Sequence, residues 1–154
     1  LNLSKSAGDL MGTMMFAVMM GLSRVFYAKM SRRLSLEKFM FACGVLCVGA
    51  YLLAALSPLP LLGLVGCGLC GLSVGILWPG TYNLAASRLR GGGTAMFALL
   101  ALGGDLGCAG GPALVGMISD RFGGDLRAGL MGSTLFPLLL LMGLLLLRKK
   151  KKIG

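Results

Sequence analysis

The sequence predicts an all-α, polytopic membrane protein with five transmembrane helices. Of its 154 residues, 56% are hydrophobic and 13% are charged, and the mean hydropathy is +0.87. A soluble domain has about 45–50% apolar and about 25% charged residues. The apolar residues also form blocks of roughly 20, the length of helix that spans a bilayer. The composition therefore excludes a soluble globular protein.

The net charge of +10 fits membrane orientation better than nucleic-acid binding. No basic face is interleaved with aromatic residues, as a nucleic-acid surface would need. The basic residues lie instead in the connectors and at the C-terminal end, where the positive-inside rule puts cytoplasmic anchors. We therefore expect a lipid bilayer as a partner and no nucleic acid.

The five apolar segments form one membrane domain, residues 1–154. They cover residues 7–30, 39–56, 61–86, 94–118 and 129–147. The turn Ser57-Pro58-Leu59-Pro60 is short and uncharged, and its prolines stop and restart helices. Inside the third segment, Pro79 removes one backbone hydrogen bond, so we expect the helix to kink or loosen there.

Alternate crossing of the bilayer puts eleven basic residues on one side and three on the other. The eleven are Lys29, Arg32, Arg33, Lys38, Arg88, Arg90 and the run from Arg148 to Lys152; the three are Lys5, Arg121 and Arg127. This bias favours five crossings over four or six, with the C-terminus in the cytoplasm.

Small residues recur every four positions in two segments. In the third they are Gly63, Cys67, Gly71 and Gly75; in the fourth, one row is Gly103, Gly107 and Gly111 and another is Gly104, Cys108, Pro112 and Gly116. Such rows let helix backbones approach closely. We therefore expect the third and fourth segments to be central and the Leu-rich fifth segment to be peripheral.

Asp105, about midway along the fourth segment, is the leading candidate for proton coupling or substrate binding. A carboxylate there costs roughly 2.5–3.5 kcal/mol on insertion scales and is usually retained for a reason. The alternative is a structural Asp hydrogen-bonded to a neighbouring helix. Trp78, Tyr82 and Asn83, beside Pro79, are candidates to line a cavity; the alternative is an aromatic that packs at the kink.

Metal, nucleotide and enzymatic chemistry have little support. The pair Cys67-Gly68-Leu69-Cys70 is the one C-x-x-C, and the chain has no His, whereas zinc needs four such ligands. Gly91-Gly92-Gly93 is not followed by the Lys of a phosphate-binding loop. No Ser/Lys or paired-Asp arrangement stands out. We expect no cofactor, no metal and no enzyme activity.

The stretch from Gly21 to Arg33, GLSRVFYAKMSRR, resembles the helix–loop signature of major facilitator superfamily transporters. In the second half of such proteins the signature runs roughly G-R-x-x-x-G-x-L-S-D-R-x-G-R-R. Positions that fall on it are Ser23, Arg24, Ala28, Met30, Ser31 and Arg33. Arg32 occupies the acidic position, and Ser35-Leu36-Glu37 replaces Gly-Arg-Arg. Gly110-Gly111-Pro112 and Gly116-x-x-x-Asp120 are similar to the family's glycine-rich eleventh helix.

The resemblance implies part of the C-terminal half, helices eight to twelve of twelve, without the N-terminal half and helix seven. In such proteins two six-helix halves enclose a midplane substrate site and rock about it. The resemblance also implies an inner-gate loop made of Gly21, Arg24, Lys29, Arg32 and Arg33. The alternative for its basic residues is anchoring to lipid headgroups. Glu37 is a candidate to replace the absent acidic residue, although it lies on the other side of the turn.

Two functions are therefore open. The first is the C-terminal portion of a secondary active transporter that moves a small-molecule substrate across the cell membrane by alternating access. The alternative is a non-transporting truncated membrane module or assembly partner. Because the chain starts at Leu1, we expect a fragment of a longer protein, with no transport by these five helices alone.

Overall fold

The computed structural model describes residues 5–57, 59–89 and 91–153, and of residues 5, 6, 60 and 149–153 it describes the backbone alone. Pro58, Arg90 and the side chains of the C-terminal lysine run, which the sequence analysis used, therefore lie outside the described parts. The helices are α1 Lys5–Met30, α2 Leu36–Leu56, α3 Pro60–Val74, α4 Leu77–Arg88, α5 Gly93–Arg121, α6 Leu126–Ser133 and α7 Leu135–Ile153.

Within the described residues, five helical stretches are long and apolar enough to cross a membrane. The third combines α3 with α4, and the fifth combines α6 with α7. Helices are the expected form, because in hydrocarbon every backbone N–H and C=O must be satisfied within the segment. The predicted fold class, all-α and polytopic with five spans, is confirmed.

The helices extend a few residues beyond the predicted segments. Ser35 takes an extended N-cap conformation (φ −67°, ψ 132°) without a side-chain cap bond, so α2 starts at Leu36. At the other side, the Asp125 side chain accepts a hydrogen bond from the Arg127 N–H and caps α6. The polar connector between the last two spans is therefore shorter than the sequence suggested.

The helix of the third span is interrupted just before Pro79. α3 ends at Val74 and α4 starts at Leu77, with Gly75 (φ −52°, ψ −38°) and Ile76 (φ −97°, ψ −15°) between them. Both residues keep helical angles, so the span loosens without reversing direction. The break lies one turn before Pro79, at the carbonyl to which a residue with an N–H would have donated. The predicted loosening is confirmed.

α3 packs against α1 through backbone contacts at two glycines. A Cβ added at Gly71 would lie 2.9 Å from both the carbonyl carbon and the Cα of Phe16. One added at Gly75 would lie 2.6 Å from the Met20 carbonyl oxygen. Gly63 belongs to the same sequence row, but its added Cβ would meet no atom within 4 Å. Half of the predicted row is thus a contact surface.

The other face of α3 packs against α2, and α2 also carries the last span. A Cβ added at Gly66 would lie 3.1 Å from the Ala54 Cβ, and one added at Gly44 of α2 would lie 2.7 Å from Leu141 of α7. Near the basic side, the buried core joins α2, α4 and α7 through Met40, Leu84 and Leu144. α2 and α3 are therefore the most enclosed helices of the described chain.

The expectation that the fourth span is central is wrong for this structure. No residue in the most apolar 18-residue window of α5 is buried, whereas a third of the corresponding window is buried in the second and third spans. α5 packs mainly on α6, where a Cβ added at Gly129 would lie 2.6 Å from the Val115 carbonyl oxygen. An added Cβ at Gly104 would meet the Trp78 indole of α4, whereas one added at Gly103, Gly107, Gly110, Gly111 or Gly116 would meet no atom within 4 Å.

Candidate functional site

A cavity of about 840 Å³ lies between the second, third, fourth and fifth spans. Its wall is almost entirely apolar, with Trp78 from α4, Gly107, Gly111 and Pro112 from α5, and Phe136 and Pro137 from α7 among its residues. The absence of side chains at the two α5 glycines leaves the space that the cavity occupies. Of the predicted substrate residues, the structure places Trp78 in this wall.

An aromatic chain connects Trp78 to α5. The Trp78 and Tyr82 rings meet edge to face with their centroids 4.9 Å apart. Tyr82 then stacks on Phe97 of α5, with centroids 5.7 Å apart and planes 6° from parallel. The indole also covers Gly104, where an added Cβ would overlap the ring. α4 therefore contacts α5 in two places: the Trp78 indole lies over Gly104, and the Tyr82 ring stacks on Phe97.

Asn83 and Asp105 lie apart from this group. Both side chains are exposed, and neither belongs to the cavity wall. Each directly follows a residue of the aromatic contact, Tyr82 or Gly104, and one residue turns a helix by about 100°, so they point to other faces. The structure therefore brings Trp78 and Tyr82 together and leaves the two polar candidates on open surface.

Three polar residues in the cavity wall were not among the predicted site residues. They are Cys47 and Tyr51 of α2 and Ser133 of α6. Cys47 is only 3% exposed. The Ser133 hydroxyl donates to the Leu130 carbonyl oxygen at 2.8 Å. Each of the three is a polar side chain inside a strongly apolar segment, which is the same pattern that singles out Asp105.

The predicted inner-gate residues divide into two groups. Arg24 is engaged within the chain, because its Nε donates to the Gly75 carbonyl oxygen at 3.0 Å. Lys29, Arg32 and Arg33 are exposed, and a Cβ added at Gly21 would meet nothing within 4 Å. Lys29 also borders a second apolar cavity, of about 510 Å³. The aliphatic stem of a lysine can pack on such an apolar wall while the ammonium group stays in water.

Two charged contacts hold the basic ends of the helices together. Arg88 Nη2 at the end of α4 lies 2.6 Å from Glu37 Oε1 at the start of α2. Arg148 of α7 lies over the Phe41 ring, 5.4 Å from its centroid. The connector after α1, the end of α4 and the end of α7 are therefore on one side, as alternate crossing requires. Glu37 is thus engaged with a residue of the same chain.

The described residues contain no cluster of three or more His, Cys, Asp or Glu that could hold a metal ion. In this part of the chain the cysteines Cys43, Cys47, Cys67, Cys70 and Cys108 are free thiols. Cys67 is exposed, whereas Cys70 is partly buried and faces α2. The two members of the C-x-x-C pair therefore have different surroundings.

Comparison with known proteins gave one result that bears on identity. A model of the Major Facilitator Superfamily matches residues 1–154. No curated protein and no solved structure matches the chain significantly. The family is one of membrane transporters, which agrees with the five apolar spans and with the resemblance seen at Gly21 to Arg33. The chain belongs to the major facilitator superfamily.

Proposed function

We propose that the chain is the C-terminal portion of a secondary active transporter, helices eight to twelve of twelve, that moves a small solute by alternating access. The observation that carries this proposal is the cavity of about 840 Å³ among the spans. Family membership supports transport as the type of function. In transporters built from repeats, substrate sites lie near mid-membrane at the interface between the repeats, so this cavity would form part of that interface in the complete protein.

The cavity wall supports a solute with an apolar, preferably aromatic, body. Pockets of this size class bind ligands mainly through apolar contact, with few polar groups that fix orientation. Trp78 offers an aromatic surface, and the Tyr51 and Ser133 hydroxyl groups and the Cys47 thiol are the polar groups of the wall. The Tyr82 ring contacts the Trp78 ring edge to face. Asn83, on the outward face of α4, would meet solute only from a cavity shared with another domain.

Asp105 is the proposed coupling residue. It follows Gly93 by twelve positions, which places it about 18 Å along α5 at 1.5 Å per residue. That depth is near the middle of a hydrocarbon core about 30 Å thick. An exposed carboxylate at mid-membrane needs a partner helix or water-filled space. A cavity shared with the N-terminal half of the transporter would supply either one.

The proposed partner of α5 is that N-terminal half. Gly103 and Gly110 lie outside the cavity wall and have no atom within 4 Å of an added Cβ, so a second helix could approach this face closely. On the basic side, which we propose is cytoplasmic, the exposed Lys29, Arg32 and Arg33 would meet the same partner as the inner gate. Arg24 and Gly21 would support that loop from α1.

The alternative function is a non-transporting membrane module that assembles through the same open face of α5. The observation that favours it is the exposure of that face at Gly103 and Gly110. The two functions differ in what the face contacts: a domain of the same polypeptide, or a separate chain. Cross-linking from a cysteine placed at Gly103 in the complete gene product would distinguish an intramolecular from an intermolecular contact.

The test of transport uses the complete product of the encoding gene, reconstituted in liposomes under an imposed proton or sodium gradient. A panel of radiolabelled solutes, aromatic and non-aromatic, would be screened for gradient-driven accumulation. We expect Trp78→Ala to raise KM and Asp105→Asn to remove the dependence on the gradient. Wild-type protein that accumulates no solute under either gradient, or Asp105→Asn that keeps full coupling, would contradict the respective proposal.

A cavity-filling variant provides a matched control. Gly111 lies in the cavity wall and Gly143 of α7 does not, and an added Cβ at either would meet nothing within 4 Å. Gly111→Leu should therefore block uptake, whereas Gly143→Leu adds the same side chain outside the cavity. Equal loss in both variants would show that an added side chain in the membrane domain, and not occupation of the cavity, reduces transport.

A further inference from the structure

The break between α3 and α4 leaves a specific backbone atom that needs a donor. In an α-helix the N–H of residue 79 would donate to the carbonyl oxygen of Gly75, but Pro79 has no N–H. The next bond of the ladder is present, since Gly80 N–H donates to Ile76 O at 2.8 Å. Inside a membrane, water does not replace the missing donor, and an unsatisfied carbonyl is costly.

Arg24 of α1 supplies a donor to the Gly75 carbonyl oxygen. Gly71 faces Phe16, and four residues further along both helices Gly75 faces Met20. α1 and α3 are therefore parallel and in step, which puts Arg24 level with Pro79. Side chains on a helix lean towards its N-terminus, so Arg24 leans back by one turn towards Gly75. Its Nε lies 3.0 Å from the Gly75 carbonyl oxygen.

Arg24 itself is exposed, but buried residues lie beside its bond with Gly75. Ser23, next to Arg24, is 2% exposed, and Ser73 of α3 is fully buried. The Ser73 hydroxyl is already used, because it donates to the Cys70 carbonyl oxygen at 2.7 Å. Backbone contact at Gly75 leaves no space for a bridging side chain, since even a Cβ would lie 2.8 Å from the Ser23 Cβ.

We propose that Arg24 is a positioning residue that replaces the hydrogen bond removed by Pro79, and so fixes the angle at which α4 presents Trp78 to the cavity. The bond also gives the guanidinium an acceptor inside the span, which a charge there requires. This role differs from gating against the other half, because both partners belong to the same five-helix unit. That Trp78 meets solute rests on the proposed function; the Arg24–Gly75–Pro79 relation does not.

The test is a double-mutant cycle on the purified chain in detergent micelles, with Arg24→Ala, Pro79→Ala and both changes together. The Pro79→Ala change restores the N–H that donates to Gly75, so Arg24 should become dispensable. With Pro79 present we expect Arg24→Ala to raise the unfolding equilibrium constant roughly tenfold to a hundredfold, as for a bond with a charged donor. In the Pro79→Ala background the same change should cost little. An equal cost in both backgrounds would overturn the proposal.

A second readout does not require Pro79→Ala to fold. Trp78 is the single tryptophan of the chain and follows the break by two residues, so its fluorescence reports the position of α4. Arg24→Ala should increase acrylamide quenching of Trp78, whereas Lys38→Ala, which removes an exposed charge from the same side, should not. Unchanged quenching in Arg24→Ala would show that Arg24 does not position Trp78.

A transport measurement on the complete gene product separates this inference from the proposed function. A cycle that closes as expected, together with no transport by the wild-type protein, would refute the proposed function and keep the role of Arg24. Transport that depends on Trp78 together with an additive cycle would do the reverse. The two conclusions can therefore fail independently.

Discussion

Substitution of Gly71 by Ala tests the packing of α1 on α3. The added Cβ would lie 2.9 Å from two backbone atoms of Phe16 and closer still to its carbonyl oxygen. Ordinary carbon contacts begin at about 3.5 Å, so one helix must move by more than half an ångström. A backbone atom cannot rotate away as the end of a side chain can. Overpacking of this kind costs about 1–3 kcal/mol.

Gly63→Ala is the matched control for this prediction. Gly63 lies on the same helix and in the same sequence row, but a Cβ there meets nothing within 4 Å. Both substitutions gain the same helix propensity, about 0.5–1 kcal/mol. The difference between the two variants in free energy of unfolding therefore isolates the steric cost, and we expect about 1–3 kcal/mol.

The measurement is unfolding by sodium dodecyl sulfate in mixed micelles, followed by far-ultraviolet circular dichroism and by Trp78 fluorescence. Gly71→Ala should shift the midpoint to lower denaturant fraction and Gly63→Ala should leave it unchanged or raise it slightly. If both variants shift the midpoint by the same amount and in the same direction, close backbone approach at Gly71 does not stabilise this chain.

Two further predictions concern contacts between helices. Glu37→Gln should lower the free energy of unfolding by at most about 1 kcal/mol, because the pair with Arg88 is partly exposed and solvent screens it; melting at low and high salt checks this, and a loss that does not shrink with salt would contradict it. Gly104→Val should displace the Trp78 indole and shift its emission maximum, whereas Gly103→Val, which meets no atom within 4 Å, should not; identical spectra for the two variants would refute the contact.

The spans and the break in the third one were predictable because they follow from local chemistry. Blocks of about 20 apolar residues need a bilayer, and a proline removes one hydrogen bond wherever it lies in a helix. The partner of that freed carbonyl was not predictable. Arg24 is 51 residues away from Gly75 in sequence, and only the parallel register of α1 and α3 brings them together.

The exposure of α5 was mispredicted for a related reason. Its glycine rows indicate that a helix can approach closely, but they do not say from which chain or which half the helix comes. An added Cβ at Gly71 or Gly75 would contact α1, whereas one added at Gly103 or Gly107 would meet no described atom within 4 Å. Spacing predicts a contact surface, and tertiary structure decides whether it is used.

The candidate site was predictable in part. Trp78 was identified from its position beside Pro79, and the structure places it in the cavity wall. Cys47, Tyr51 and Ser133 were missed, because a single polar residue in an apolar helix does not reveal which face it occupies. Convergence of four spans on one cavity is a property of packing that a one-dimensional pattern does not contain. The functional roles of Asp105 and Asn83 stay predictions.

The sparse contacts of α5 also bear on how the chain enters the membrane. Its 29 residues make a helix about 43 Å long at 1.5 Å per residue. The mean hydropathy of its most apolar 18 residues is 1.4, against 2.3 for the corresponding stretch of the span that follows. A long, weakly apolar helix with a carboxylate at its middle partitions poorly by itself. Val115 of α5 packs against Gly129 of α6. We expect α5 to integrate as a hairpin with α6 and α7, so that the strongly apolar last span retains the weaker one in the bilayer.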